Sequence, residues 1–111
     1  MRTYVIDDLR PQELEKITER LEIMGLSSGV EGLYWLPVPQ RYLAPLQLDH
    51  LESCGPYALA LELAPDGLRL ELLTRARNRL RCECVAWAGP DLVMHMTGYL
   101  DGLLSDLGIS H

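Results

Sequence analysis

Two runs of alternating apolar residues around a turn tripeptide constrain the fold of this chain more than any other feature. The first run covers residues 57–63 and the second covers 68–72, with Pro65-Asp66-Gly67 between them. A period of two is typical of a strand with one buried face, and Pro-Asp-Gly favours a tight turn. The sequence therefore predicts an antiparallel hairpin with a leucine-rich face. Residues 80–87 repeat the alternation, which predicts a third strand of the same meander.

Helical periodicity marks two other segments. Apolar residues recur at spacings of three and four over Pro11–Met24, and again from Pro90 to about Leu107, which predicts two amphipathic helices. Gly98 and Gly102 lie one turn apart inside the second helix. Glycine is unfavourable inside a helix, so we expect the pair to let this helix approach the protein's own sheet closely. The alternative is close packing against a helix of a partner.

The remaining segments complete the predicted architecture. Thr3–Ile6 and Leu33–Val38 are predicted strands, the second confined to a sheet edge by its prolines, and Pro45–Ser53 is a predicted short helix. The order β-α-β-short α-β-β-β-α predicts one α+β domain over residues 1–111. It would be a two-layer sandwich, with a mainly antiparallel sheet of about five strands and two main helices on one face. The opening strand-helix-strand resembles half of a ferredoxin-like plait, in architecture only.

Composition narrows the class of protein. The chain has 111 residues, 48% of them hydrophobic, a formal net charge of -6 and three cysteines. An odd, small number of cysteines indicates reduced thiols rather than a disulfide scaffold. Net negative charge disfavours binding to nucleic acid or to an anionic membrane. No apolar stretch is long enough for a signal peptide or a membrane span, so we expect a soluble, cytoplasmic protein.

His50 and Cys54 are the first candidates for chemistry. They stand four residues apart on the predicted short helix and would share a face, which suits a nucleophile with its base or a pair of metal ligands. Together with Cys82 and Cys84 they make a Cys₃His set by count. On a regular strand, however, residues i and i+2 lie roughly 6.5–7 Å apart. Two thiolates that bind the same zinc ion must be much closer together. We therefore expect Cys82 and Cys84 to be small core residues, with no metal and no cofactor.

The local concentration of positive charge that stands out in this acidic chain consists of four arginines. They lie close together in the sequence without an intervening acid: Arg75, Arg77, Arg79 and Arg81. The planar guanidinium fork suits an anionic ligand or an acidic protein surface. The alternative is a solvated hairpin tip whose charges discourage aggregation between sheet edges.

Val85, Trp87 and Trp35 are candidate interface residues. Val85 and Trp87 fall on the strand face predicted to meet solvent, and an exposed tryptophan beside an apolar residue can mark an interface. The alternative is that the long segment after Trp35 covers them. A twofold dimer is the commonest oligomer, so we expect a homodimer.

Two functions follow from these features. The preferred one is a non-enzymatic binding or interaction module with an acidic body and a basic hairpin, because no motif for catalysis is specific enough to assign an enzyme. The alternative is a small thiol-dependent enzyme or metal-binding protein centred on His50 and Cys54.

Overall fold

The computed structural model describes residues 2–111, which form one six-stranded sheet and the helices that cover it. The elements are β1 (Thr3–Ile6), α1 (Pro11–Ile23), β2 (Leu33–Pro37), α2 (Pro45–Asp49), α3 (Leu51–Cys54), β3 (Tyr57–Ala64), β4 (Gly67–Glu71), β5 (Leu73–Ala76), β6 (Ala86–Trp87) and α4 (Pro90–Asp106). A single 3₁₀ turn, Gln40–Tyr42, precedes α2.

The predicted hairpin is the centre of the sheet. β3 and β4 pair antiparallel with Leu61 opposite Leu70, so the alternation and the turn tripeptide identified the correct partners. β2 pairs with the other edge of β3, as expected for a strand that ends in proline. β5 continues from β4 along the same edge of β3, while β1 pairs with β4 and β6 with β5.

The core lies between one face of the sheet and the helices. Its largest buried side chains come from both layers, and they include Ile17, Leu21, Leu36, Leu59, Leu61, Leu68, Leu70, Met96, Leu100 and Leu104. The opposite face of β2, β3 and β4 carries Trp35, Ala60, Glu62, Arg69 and Glu71, which are exposed or half-buried. The α+β two-layer sandwich with an antiparallel sheet is therefore confirmed, whereas a plait-like strand order is not.

The predicted third strand of the meander is wrong. Within residues 80–87 only Ala86 and Trp87 form a strand, and Cys82 and Cys84 lie in a loop with a turn at Glu83–Cys84. Leu80, expected to begin the buried face of this strand, is 87% exposed. β5 ends at Ala76, and the chain then folds back toward α3: Arg77 N–H donates to Pro56 O, and Asn78 N–H to Cys54 O.

Two details of the helices also differ from expectation. The short helix is broken at His50 into α2 and α3. Gly98 and Gly102 do not approach the sheet: both are exposed, and a methyl group added at either would meet nothing within 4 Å. Among the described residues, no helix combines the length and the hydropathy needed to cross a membrane.

Candidate metal centre

One imidazole and three thiols meet where the α2–α3 segment faces the loop before β6. The ligand atoms of His50, Cys54, Cys82 and Cys84 all lie within 4.8 Å of one another. His50 Nδ1 is 3.2 Å from Cys82 Sγ and 3.8 Å from Cys54 Sγ, and the two sulfurs are 3.8 Å apart. A tetrahedron with zinc–sulfur bonds of about 2.3 Å has sulfur–sulfur edges of about 3.8 Å, so the spacing of Cys54 and Cys82 is compatible with a shared metal ion.

The break between α2 and α3 brings His50 and Cys54 together. His50 is the residue at which one short helix ends and the next begins, and Cys54 N–H donates to His50 O at 2.7 Å. Gly55 follows directly, and a methyl group there would collide with the Leu51 carbonyl. A glycine at this position therefore allows the chain to leave α3 close against its last turn.

The C-x-C pair lies in a turn rather than on a strand. Val85 N–H donates to Cys82 O at 3.1 Å, and Cys84 N–H points at Cys82 Sγ at 3.5 Å. A turn lets two thiols separated by one residue face the same point, which a regular strand prevents. The geometric objection to a shared metal, drawn from the predicted strand, does not apply to this loop.

Gln47 ties the two halves of the cluster together, and the sequence analysis missed it. Its side chain is 5% exposed. Its carbonyl oxygen accepts from Ala44 N–H at the start of α2, and its amide donates to Cys84 O at 3.0 Å. The first contact follows a helix-start pattern that a sequence can show. The second joins residues 37 apart and has no local signal.

Asn78 makes two hydrogen bonds to the backbone at the end of α3, next to Cys54 of the cluster. Its backbone N–H donates to Cys54 O at 3.0 Å, and its side-chain amide donates to Gly55 O at 2.6 Å. The chain between β5 and the C-x-C turn is thus attached to the end of α3. No site role was assigned to Asn78 from the sequence.

The surroundings of Cys82 favour its ionisation. The backbone N–H of Cys84 stabilises its thiolate, and neighbouring His50 and Cys54 add to this, so the pKa of Cys82 falls from 9.0 to about 6. Burial acts in the other direction on Cys84 and raises its pKa to about 11. Of the two thiols near the imidazole, Cys82 is also the closer, with its Sγ 3.2 Å from His50 Nδ1 against 3.8 Å for the Sγ of Cys54.

Tyr57 is buried next to Cys84 of the cluster. Its side chain is 2% exposed, and within residues 2–111 its hydroxyl is buried without a hydrogen-bond partner. Burial, and then the adjacent Cys84 side chain, raise the pKa of Tyr57. A buried O–H beside a thiol has only a weak acceptor in the neutral sulfur and gains a strong one when the thiol becomes a thiolate.

The arginines predicted to bind an anion do not form one cluster. The Arg75 guanidinium makes two hydrogen bonds to the Glu71 carboxylate, at 2.7 and 3.2 Å. Arg77 lies over the Trp35 ring, 4.9 Å from its centroid. Arg79 and Arg81 are exposed in the loop. Only Arg75 and Arg77 share a surface, the open face of the sheet.

The three candidate interface residues are also separated. Val85 is half-buried and packs against the core. Trp87 is 43% exposed, with the Arg2 guanidinium 4.3 Å from its ring centroid. Trp35 lies on β2 beneath Arg77.

Comparison of the chain with protein-family models, with curated proteins and with solved structures finds no match.

Proposed function

We propose that this protein binds one Zn²⁺ ion through His50 Nδ1 and the thiolates of Cys54, Cys82 and Cys84. The observation that carries the proposal is the convergence of four donor atoms within 4.8 Å from two segments well separated in the chain. Three thiolates and one imidazole are a donor set typical of tetrahedral zinc. Metal binding uses all four side chains, whereas a nucleophilic Cys82–His50 pair leaves Cys54 and Cys84 without a role.

Two further observations support zinc. Cys84 N–H already points at Cys82 Sγ, the kind of contact that orients a coordinating thiolate. The buried Tyr57 hydroxyl, unpartnered among the described residues, lies beside Cys84 and would gain a strong acceptor when metal binding deprotonates that thiol. Four protein ligands fill a tetrahedron and leave no position for water, so the ion would have a structural role.

The test is metal analysis of the full chain purified under reducing conditions without chelator. We expect one zinc per chain by elemental analysis, and loss of stoichiometric zinc in Cys82→Ser and in His50→Ala. His95→Ala is the matched control, because His95 stacks on Tyr42 and is not part of the cluster, so it should retain zinc. Wild-type protein that stays substoichiometric after incubation with excess Zn²⁺ would overturn the proposal.

A non-enzymatic binding module remains a second proposal, and one observation favours it. The open face of the sheet carries a groove of about 670 Å³ lined by Trp35, Arg69, Arg75 and Arg77 among others. This volume lies in the range of small-molecule sites. A structural zinc and a binding groove are compatible, because they use different residues. Location in the cytoplasm stays a prediction.

A further inference from the structure

The groove on the open face of the sheet is lined by one small residue of the central strand, Ala60 on β3. Ala60 lies opposite Trp35 on β2. Side chains on one face of adjacent strands stand side by side. The short Ala60 side chain therefore forms a floor beside the larger Trp35 indole.

The charges in the groove are only partly compensated. Arg75 is paired with Glu71, but within residues 2–111 neither Arg69 nor Arg77 makes an ion pair. Three arginines and two glutamates line the groove, which leaves one excess positive charge on a chain of net charge -6. The groove is thus a local site of positive charge on an acidic protein and complements an anion.

Trp35 adds a flat apolar surface beside that charge. Its indole is half-buried, and the Arg77 guanidinium is held 4.9 Å from the ring centroid. An aromatic face next to an arginine suits a ligand that combines a planar ring with an anionic group, because the ring can stack while the anion accepts from the guanidinium.

We propose that this groove binds a small planar organic anion, an aromatic ring carrying a carboxylate or a phosphate, with the ring against Trp35 and the anion at Arg77 and Arg69. The zinc centre uses none of these residues, so this site can succeed or fail independently of the proposed metal. Neither Arg79 nor Arg81 lines the groove, and neither takes part.

The test is a titration of the isotope-labelled chain of residues 1–111, as purified under reducing conditions, followed by amide and indole NMR signals. The probes are 2-naphthoate, 2-naphthyl phosphate, neutral 2-naphthamide and acetate. We expect saturable chemical-shift changes at Trp35 and Ala60 with the two naphthyl anions. The anion with the lower dissociation constant shows whether the site prefers a carboxylate or a phosphate. The neutral amide, which lacks the charge, and acetate, which lacks the ring, should each bind about tenfold more weakly or worse.

Three variants locate the binding. Ala60→Leu fills the floor without entering the core, and Arg77→Gln removes the unpaired charge; each should weaken 2-naphthoate binding about tenfold. Arg79→Gln makes the same change of charge two residues further along and should leave the affinity within about twofold. Folding is checked by retention of the wild-type NMR pattern, and if Ala60→Leu does not fold, Arg77→Gln decides alone.

Three results would overturn the proposal: no saturable binding of either naphthyl anion, equal binding of 2-naphthamide and 2-naphthoate, or equal losses from Arg77→Gln and Arg79→Gln. If the anions do not bind and Trp35→Ala dissociates a dimer, the face is an interface between copies instead. The zinc content of each sample is measured separately, so that failure of the groove site and failure of the metal proposal are distinguishable.

Discussion

At the scale of single residues, Gln47 shows how one buried polar side chain supports a site without belonging to it. Both ends of its amide are used, one at the start of α2 and one on the carbonyl of Cys84. A buried polar group is tolerated when its hydrogen bonds are made. Residues that orient metal ligands in this way contribute to metal affinity although they do not touch the ion.

We predict that Gln47→Leu keeps the fold and weakens zinc binding by about 10- to 100-fold, the range seen when a supporting residue is lost. Leucine has a similar size but cannot hold the Cys84 carbonyl. The measurement is a competition titration with a chromophoric chelator. Gln40→Leu, in the exposed 3₁₀ turn, serves as the control and should match wild type. Unchanged affinity in Gln47→Leu would show that the Cys84 turn holds itself in place.

At the scale of elements, a tyrosine–aspartate contact joins the first strand to the last helix. Tyr4 on β1 donates its hydroxyl to Asp101 Oδ1 on α4 at 2.6 Å, and His111 lies 2.9 Å from the same carboxylate oxygen. The bond to Asp101 is the main cause that raises the pKa of Tyr4 from 10.0 to about 12. The neutral tyrosine is thus the form that the folded state favours.

We predict that Tyr4→Phe lowers the free energy of unfolding by about 1 kcal/mol at pH 7, the usual value of one hydrogen bond. Because the pKa of Tyr4 is higher in the folded state, its contribution is complete below pH 10 and is lost as the pH rises from 10.0 towards 12. The difference between wild type and Tyr4→Phe in urea unfolding should therefore shrink over that interval. A difference that is constant from pH 7 to pH 11.5 would contradict the assignment.

At the scale of the whole molecule, the segment 77–85 depends on contacts from outside itself. It contains no helix or strand, and the bonds that hold it come from Cys54, Gly55, Pro56 and Gln47. Such a segment has few backbone bonds of its own and belongs to the less stable parts of a fold. The proposed zinc would join it to α3 at two further points, Cys82 and Cys84.

We predict that chelation of the zinc lowers the stability of the whole chain and loosens this segment first. A ligand at about 1,000 times its dissociation constant contributes about 4 kcal/mol. Hydrogen exchange should accelerate at Asn78 and Val85, while amides of the β3–β4 hairpin stay protected until global unfolding. The same chelator should leave Cys82→Ser protein unchanged. If hydrogen exchange accelerated equally in the β3–β4 hairpin, the metal would stabilise the entire fold and not this segment first, which would contradict the prediction.

Self-association also belongs to this scale and stays a prediction. Trp87 is 43% exposed at the sheet edge formed by β6, and a second copy of the chain would cover it in a twofold dimer. We expect a dimer in sedimentation experiments at micromolar concentration, weakened in Trp87→Ala. Monomeric wild-type protein across the concentration range would exclude this dimer, and a dimer indifferent to Trp87→Ala would place the interface elsewhere.

Secondary-structure elements that leave a pattern in their own segment of the chain could be predicted from the sequence. The hairpin of β3 and β4, the helices α1 and α4, and the short strands β1 and β2 follow from periodicity, prolines and one turn tripeptide, because burial of one face imposes those patterns along a continuous segment. The composition of the candidate metal centre was also visible, since His50, Cys54, Cys82 and Cys84 make a Cys₃His set by count. Its arrangement was not, because the predicted strand led us to expect Cys82 and Cys84 as core residues without a metal.

The spatial arrangement of these four side chains could be seen only in the tertiary structure. Alternation from Leu80 to Ala86 is the pattern of a strand, yet most of the segment is a loop. Just before it, Arg77 N–H donates to Pro56 O next to the start of β3, and Asn78 N–H then donates to Cys54 O at the end of α3. The turn that follows brings Cys82 and Cys84 onto His50 and Cys54. A strand needs a partner edge, and whether one is free depends on contacts distant in the chain, which local periodicity does not contain.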